Sequence, residues 1–257
     1  MAGKQISIVI PVYNHWRMTA SCLASIFKSD IPKDSYEIIV VDNASTDMTP
    51  KLLSYLQDVG EPLKIVRNKE NKDYLLAANQ GWKLVETPYV LHLNNDVTLD
   101  PHCISLMLNP FVDSQIGIVG AVQYFLNGTR EPPLRWFYRG DQNVGNLYRT
   151  ELTKEQEEMS YVECDVVGFA CAMVKREVWK SIGYFDEQFA PSMYEQEDYC
   201  LRAKKAGFKT VLVPNAYFVH RVAVTTADNP AYYQKVIRRN RELFRKKWGE
   251  KLRNNEI

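Results

Sequence analysis

The chain has 257 residues, of which 46% are hydrophobic and 25% are charged, a composition typical of a soluble globular protein large enough to bury a sizeable core. A formal net charge of +1 argues against the broad basic surface that nucleic-acid binding needs. The five cysteines are odd in number and none stands in a C-x-x-C pair, so the sequence indicates neither a disulfide framework nor a zinc site.

The N-terminal part of the chain alternates apolar runs with segments of helical spacing. The runs predict strands at 6–12, 36–41, 63–66 and 89–93, and the segments predict helices at 18–27, 49–56 and 74–85. Because strands that alternate with helices usually pair in parallel, the sequence predicts an α/β domain with a mostly parallel central sheet and helices on both faces. Neither G-x-G-x-x-G nor a Walker loop is present, so no motif indicates a dehydrogenase or a P-loop enzyme.

The C-terminal part begins with a predicted helix at 101–108 and a strand at 116–122. Between residues 123 and 161 aromatic and turn residues replace the regular pattern, and such a long irregular stretch is usually functional or mobile. Regular structure resumes at 162–174, followed by helices near 176–181 and at 195–206, where Gly207 is the C-terminal stop. A strand at 210–213 and a basic amphipathic helix at 232–248 complete the prediction.

Polar side chains directly follow two of the predicted strands. Asp42 begins one such cluster, and Asn94, Asn95 and Asp96 form the other. In open α/β sheets ligands bind outside the carboxyl ends of the strands. A carboxylate there suits Mg²⁺, which takes one or two protein carboxylates and fills its other positions with phosphate oxygens and water. Asp96 is therefore a candidate metal ligand, and an Asx-type turn over 94–96 is the alternative.

The sequence also bears on localisation. Residues 1–5 lead directly into the first strand and lack the regions of a signal peptide. No apolar run is long enough to span a bilayer. We therefore expect a cytoplasmic protein. The helix at 232–248 is expected to dock on the core or, as the alternative, to attach peripherally to anionic lipid at the inner face of the membrane.

Five short motifs occur in a fixed order along the chain. They are Val9-Ile10-Pro11-Val12-Tyr13-Asn14; Val40-Val41-Asp42-Asn43-Ala44-Ser45-Thr46-Asp47; Ala78-Asn79-Gln80-Gly81; Leu93-Asn94-Asn95-Asp96; and Gly183-Tyr184-Phe185-Asp186-Glu187 followed by Glu197-Asp198. Together they resemble the family 2 nucleotide-sugar glycosyltransferases of the GT-A fold, in particular the rhamnosyltransferase-like branch. The resemblance implies a Rossmann-like nucleotide-binding half at 1–122, an acceptor-binding half of the same domain at 123–228, and a C-terminal basic amphipathic helix at 229–257.

The resemblance also implies which residues bind the donor. The nucleotide would be bound by Pro11, Tyr13, Asn14, Asp42, Asn79 and Asn95. The Asp42 carboxylate would accept a hydrogen bond from a pyrimidine base, and Asp96 with His220 would hold Mg²⁺ or Mn²⁺. From the residues alone, Asp42 also fits a turn or helix-capping position, and His220 also fits a hydrogen-bonded structural role.

Asp198 falls on the position of the family's catalytic base, which takes the proton of the attacking hydroxyl. Two alternatives remain open at this point. Asp198 lies one helical turn before Arg202, with which it could form an ordinary ion pair. Glu195 and Glu197 lie close enough along the chain to act as the base instead.

The chain departs from the family pattern in two places. Its metal motif keeps a single carboxylate, Asp96, so the phosphates of the donor are expected to complete the metal site. The loop after Asn71 carries Asp73 near the place of a family glycine, and aspartate adopts a positive φ less readily than glycine does.

The implied activity is the inverting transfer of a sugar from a UDP- or dTDP-sugar to a hydroxyl of a saccharide, lipid-linked or protein acceptor, in bacterial surface polysaccharide or glycoconjugate synthesis. The alternative is a catalytically inactive carbohydrate- or nucleotide-binding protein of the same fold. A nucleotidyltransferase is expected to carry a glycine-rich basic loop after the first strand, whereas this chain has Tyr13-Asn14-His15-Trp16 there. No nucleic-acid partner is expected.

Overall fold

The computed structural model describes residues 4–125, 138–139, 148–149, 152–221 and 230–253, so much of the predicted irregular stretch at 123–161 lies outside the described residues. The helices are α1 (Trp16–Phe27), α2 (Thr49–Asp58), α3 (Tyr74–Trp82), α4 (Cys103–Leu108), α5 (Lys154–Glu158), α6 (Arg176–Ile182), α7 (Glu195–Lys205) and α8 (Pro230–Arg253). The strands are β1 (Ile6–Val12), β2 (Tyr36–Asp42), β3 (Leu63–Arg67), β4 (Tyr89–Leu93), β5 (Val97–Leu99), β6 (Ile116–Phe125), β7 (Tyr138–Arg139), β8 (Tyr148–Arg149), β9 (Val162–Cys164), β10 (Cys171–Lys175) and β11 (Lys209–His220).

Nine of these strands form one sheet in the order β3-β2-β1-β4-β10-β6-β11-β5, with β9 also paired to β11, and β7 pairs with β8 separately. β1, β2, β3, β4, β6 and β11 run in one direction, whereas β5, β9 and β10 run antiparallel to their neighbours. The predicted α/β fold with a mostly parallel sheet is confirmed. β10 lies between β4 and β6, so both predicted halves contribute to the same sheet.

Helices cover both faces of the sheet, as predicted. Side chains along a strand alternate between the two faces, so neighbouring residues of β1 enter different cores. Ile8 is buried with Leu23 of α1 and Ile104 of α4 in one core. Val9 is buried with Trp82 of α3 in the other.

The position of α3 depends on Gly81. A Cβ atom at this residue would clash with Cγ1 of Val9 on β1, so only glycine allows the helix to lie this close to the sheet. The close approach lets Tyr74, at the start of α3, reach the end of β4, where its hydroxyl lies 2.7 Å from Asn94 Oδ1. Gly81, the last residue of the Ala78–Gly81 motif, therefore allows the close packing of α3 against β1.

β11 is longer than the sequence predicts. The sequence predicts a strand at 210–213 only, and Pro214, which follows, has no N–H for a sheet hydrogen bond. The structure places a register shift between Val213 and Tyr217, after which β11 resumes its pairing with β6 and also pairs with β5 as far as His220. The irregularity accommodates the proline, so His220 lies inside a strand.

α8 docks on the core, which was the first of the two expectations for the C-terminal helix. Val236, Phe244 and Trp248 are buried, and the last two belong to the core that contains Val9. The apolar stripe of α8 is therefore already covered by protein. Among the residues that the structure describes, no helix has the length and apolarity that a membrane crossing requires.

Candidate active site

The ends of β1 and β2 form one wall of an open cleft. Val12 and Asp42 are opposite each other in this parallel pair, so the residues that follow them meet. The Asn14 N–H donates to Ser45 Oγ at 2.8 Å, and Asn14 Oδ1 accepts the Thr46 N–H at 2.8 Å. The cleft in front of them has a volume of about 590 Å³ and is lined by Asn14, His15, Trp16, Arg17, Met18, Thr46 and Asp47.

The predicted nucleotide-binding residues of β1 differ in their access to this cleft. Asn14 lines it, and Tyr13 beside it is 38% exposed. Pro11 is buried inside β1, where it is paired with Val41. The structure thus leaves Tyr13 and Asn14 available for contact with a ligand, while Pro11 forms part of the strand.

Asp42 is buried and its two carboxylate oxygens already have partners. Oδ1 accepts the Ser45 N–H at 2.9 Å, and Oδ2 forms an ion pair with Arg67 Nη1 at 2.6 Å. Arg67 also donates to the Ser45 carbonyl at 2.9 Å, and its side chain is 49% exposed. The turn role of Asp42 is therefore present in the structure. Arg67, which no sequence pattern singled out, is the charged group of this pair that solvent reaches. It lies opposite Asp42 in the parallel register of β2 and β3.

Asp73, in the loop before α3, has an unusual backbone conformation. Asp73 has φ 67° and ψ 161°, a region that is essentially restricted to glycine. Asn43 holds the loop in place, because its Nδ2 donates to Asn71 Oδ1 at 2.6 Å and to the Asp73 carbonyl at 3.2 Å, and its Oδ1 accepts the Lys72 N–H at 3.0 Å.

The structure does not support a nucleotide-binding role for Asn79. This side chain is buried, and its amide pairs with the backbone of Phe185 in both directions, donating to the carbonyl at 2.9 Å and accepting the N–H at 3.0 Å. Nδ2 also lies 3.2 Å from Glu187 Oε1. Asn79 therefore links α3 to the Gly183–Glu187 motif. Both polar atoms of its side chain already have protein partners, which leaves neither free to bind the nucleotide sugar.

Asp96 and His220 meet, as the metal prediction requires. β5 pairs antiparallel with the end of β11, which places His220 opposite Val97. The Arg221 N–H donates to the Asp96 carbonyl at 3.0 Å and extends this pairing. As a result His220 Nε2 lies 3.0 Å from Asp96 Oδ1, although the two residues are far apart in sequence.

The Asp96 and His220 side chains fit a divalent cation. Gln123 Oε1 lies 3.2 Å from His220 Nδ1, so Nδ1–H donates to it and Nε2 of a neutral ring presents its lone pair to the Asp96 carboxylate. Either a metal ion or a proton between His220 Nε2 and Asp96 Oδ1 would give both of these acceptor atoms a partner. Their separation of 3.0 Å matches neighbouring ligands of an octahedral ion with bonds of about 2.1 Å. Since no group of three His, Cys, Asp or Glu side chains suited to a metal occurs in the described part of the chain, the other positions are left to phosphate oxygens and water.

A buried chain of hydrogen bonds orients Asn94 next to this pair. Trp82 Nε1 donates to His92 Nδ1 at 3.1 Å, so His92 Nε2 carries the ring proton toward the Tyr74 hydroxyl, 2.7 Å away. Tyr74 in turn donates to Asn94 Oδ1 at 2.7 Å. Burial lowers the pKa of His92 to about 3, which keeps the ring neutral. Asn95 is fixed separately, because its Nδ2 donates to Thr19 Oγ1 on α1 at 3.1 Å.

Asp198 is buried and its carboxylate already has three donors, so its geometry favours the ion-pair alternative over the role of general base. Its side chain is 0% exposed, and it accepts hydrogen bonds from Arg202 Nε at 2.8 Å and Trp248 Nε1 at 2.8 Å. Lys247 Nζ lies 2.7 Å from the same carboxylate. A base must come within hydrogen-bond reach of the substrate hydroxyl, and three donors already surround this buried group. The ion pair with Arg202, which was the alternative, is present.

Glu195 and Glu197 are two further buried carboxylates of α7 with raised pKa values. Both are buried, and Oε2 of each has no hydrogen-bond partner among the described residues. Burial, with an added effect of Glu197, raises the pKa of Glu195 to about 8, and burial raises the pKa of Glu197 to about 7. Burial and then the charges of Glu195 and Asp96 raise the pKa of Tyr74. Perturbed carboxylates of this kind are typical of active sites.

Known proteins resemble this chain in both sequence and fold. The family model described as Glycosyl transferase family 2 matches residues 7–183. The chain is 30% identical over 129 residues to the poly(ribitol-phosphate) beta-glucosyltransferase of Bacillus spizizenii, covering 50% of this chain and 20% of that protein. It is 26% identical over 215 residues to the N-acetylglucosaminyl-diphospho-decaprenol L-rhamnosyltransferase of Mycobacterium tuberculosis, covering 76% of this chain and 69% of that protein.

Among solved structures, GalNAc-T7 with UDP, GalNAc and Mn²⁺ matches with a TM-score of 0.75 at 18% identity, covering 86% of this chain and 44% of that one. This likeness confirms the expected GT-A architecture. The chain spans 27%, 20% and 25% of the length of three curated relatives that it matches. Since the family model covers more than half of its residues, this chain belongs to glycosyl transferase family 2.

Proposed function

We propose that this chain transfers a sugar from a nucleotide diphosphate donor to a hydroxyl acceptor with inversion at the anomeric carbon. The observation that carries the proposal is the meeting of Asp96 and His220 at 3.0 Å beside the carboxyl ends of the parallel strands. A chain that had kept the fold only to bind carbohydrate would have no need for a metal-competent pair together with two buried, partly unpartnered glutamates.

The donor we propose is a UDP- or dTDP-sugar whose nucleoside occupies the cleft between β1 and β2. Tyr13 and Asn14 are available to contact it, and the exposed guanidinium of Arg67 offers N–H donors to the base carbonyls while Asp42 holds that guanidinium in place. Asn95, fixed through Thr19, directly precedes Asp96 in the metal motif and is proposed to face the phosphates of the donor.

Asp96 and His220 would hold Mg²⁺ or Mn²⁺, the diphosphate completing its shell. When bound, the ion would neutralise the charge that develops on the leaving diphosphate. The chain itself supplies the orientation of this site, because Gln123 fixes the His220 ring and the Tyr74 chain fixes Asn94.

Glu195 is our proposed general base, in place of Asp198. As the acceptor oxygen forms its bond to the anomeric carbon and the bond to the diphosphate breaks, the hydroxyl proton passes to the Glu195 carboxylate. A pKa of about 8 makes this carboxylate a stronger base than an ordinary glutamate, while a fraction of it is still ionised near neutral pH. Glu197 is the second candidate, since it shares the burial and the unpartnered oxygen.

The acceptor is proposed to be a saccharide, lipid-linked or protein hydroxyl in the synthesis of a bacterial surface polymer. Support comes from the relatives, whose names refer to poly(ribitol-phosphate) and to a diphospho-decaprenol carrier. We propose a cytoplasmic enzyme held at the inner membrane face by charge, since exposed basic residues of α8 remain outside the docked face.

The experiment that tests this function is release of nucleoside diphosphate from a panel of UDP- and dTDP-sugars with Mn²⁺ and simple hydroxyl acceptors. Wild type should turn over one donor class, and Asp96→Asn should abolish that turnover. Asp58→Asn, an equal change at the exposed last residue of α2, is the matched control and should behave as wild type. Donor binding without any turnover in wild type would favour the inactive binding protein instead.

A further inference from the structure

Side chains of α8 form hydrogen bonds with segment 186–194, which is part of the connection between α6 and α7. Asn240 is fully buried, and its Nδ2 lies 2.7, 2.8 and 2.9 Å from the carbonyl oxygens of Phe189, Ser192 and Met193. Arg239 donates to the Ala190 carbonyl, and its Nε donates to Asn240 Oδ1 at 2.9 Å. The second bond fixes the orientation of the Asn240 amide, with its donors toward the segment.

Segment 186–194 contains two residues in strained backbone conformations. Met193 and Tyr194 have φ values of 80° and 71°, in the left-handed region that side chains rarely adopt. Such conformations persist where surrounding contacts determine them. The Tyr194 ring packs against Phe244 with centroids 5.4 Å apart, and its hydroxyl accepts from Arg241 Nε at 3.1 Å. Side chains of α8 therefore hold both strained residues.

The strained pair leads directly into Glu195, the first residue of α7. On its other side the segment is tied to the donor half, because the Leu75 N–H at the start of α3 donates to the Pro191 carbonyl at 3.0 Å. The direction in which the Glu195 side chain leaves the backbone thus depends on a conformation that α8 maintains. Among the described residues, those that line the cleft between β1 and β2 belong to other elements than α8.

We propose that Asn240 is a positioning residue for the transfer reaction, acting through segment 186–194 to fix the Glu195 carboxylate against the acceptor hydroxyl. This inference rests on the proposed role of Glu195 as the base. Misplacement of a catalytic group by about 1 Å lowers a rate by roughly 10²-fold. The loss should appear in kcat, because the nucleotide cleft between β1 and β2 lies on other elements.

The experiment compares Asn240→Ala and Arg239→Ala with Arg238→Ala, an equal truncation at the exposed neighbouring residue. Asn240→Ala should lower kcat by roughly 10²-fold and leave the donor Kd within about twofold. It should also speed amide hydrogen exchange in residues 190–198. Arg239→Ala should show the same pattern more weakly, and Arg238→Ala should match wild type in all three measurements.

The outcomes separate this inference from the proposed function. If wild type transfers sugar and Glu195→Gln does not, yet Asn240→Ala and Arg239→Ala keep the kcat of Arg238→Ala, the positioning role is wrong. A change in donor Kd that accounts for the whole loss would also overturn it. If Asn240→Ala does not fold, Arg239→Ala decides, since its side chain is exposed. If Glu195→Gln is fully active, the proposed base has failed, whatever Asn240 does.

Discussion

At the scale of single residues, substitution of Glu195 is expected to lower activity, whereas substitution of Asp198 is expected to lower stability. Glu195→Gln keeps the shape and removes the basicity, so kcat should fall by roughly 10²- to 10⁴-fold while the protein stays folded. Asp198→Asn removes the charge that Arg202 and Lys247 surround, and breaking a buried pair costs about 3 kcal/mol, so the free energy of unfolding should fall. Steady-state kinetics and urea unfolding of both variants measure the two effects. Normal turnover in Glu195→Gln, with loss of turnover in a folded Asp198→Asn, would restore Asp198 as the base.

The raised pKa of Glu195 also predicts how stability depends on pH. Its pKa is about 8 in the folded protein and 4.5 ordinarily, so between these values the folded state binds more protons than the unfolded state. The free energy of unfolding contributed by this group therefore falls as pH rises through that window. Glu195→Gln lacks this loss and should become progressively more stable than wild type from about pH 5 to about pH 9. Urea midpoints across this range measure the difference, and parallel curves for the two proteins would contradict the raised pKa.

Asp73 offers a test of strain that does not involve catalysis. Its φ of 67° and ψ of 161° suit glycine alone, and a residue held in such a region costs of order 1–3 kcal/mol. Asp73→Gly should therefore raise the free energy of unfolding by about 1 kcal/mol, the gain being reduced by the greater freedom of glycine in the unfolded chain. Asp58→Gly in α2, where the backbone is helical, is the contrasting control and should destabilise. A loss of stability in Asp73→Gly would mean that the aspartate side chain contributes more than its backbone costs.

At the scale of elements, α8 has its apolar residues against the core and its basic residues partly outside. Insertion of Phe244 or Trp248 into lipid would require undocking of the helix, so any membrane contact should be electrostatic. Each basic side chain near an anionic surface contributes about 1 kcal/mol, and salt screens this attraction. We expect sedimentation with anionic vesicles at low salt and release at high salt. Arg238→Glu combined with Lys246→Glu, both at exposed positions, should abolish it. Sedimentation that survives high salt would indicate insertion, and none at low salt would exclude the attachment.

At the scale of the whole molecule, the sequence predicted the fold better than it predicted the roles of buried polar residues. Strand periodicity was sufficient for the sheet, and the motif positions of Asp96 and His220 led to a pair that the structure brings together. The contacts of Asn79 with Phe185 and of Asp198 with Trp248 could not be predicted from the sequence. These partners are distant in sequence, and only tertiary packing makes those contacts.

The metal and the nucleotide are expected to bind cooperatively. Asp96 and His220 supply only two protein ligands, so Mn²⁺ alone should bind weakly, and a nucleoside diphosphate alone should lack a partner for its phosphate charge. Together each completes the site of the other, and a ligand that binds only the folded state raises stability by mass action.

Thermal unfolding should therefore show small shifts with Mn²⁺ or with UDP alone and a larger shift with both than the sum of the two. Asp96→Asn should remove the excess and keep the small shift from UDP, whereas Asp58→Asn should retain the full excess. Strictly additive shifts in wild type, measured with UDP and with dTDP, would mean that Asp96 and His220 do not hold a metal against the diphosphate.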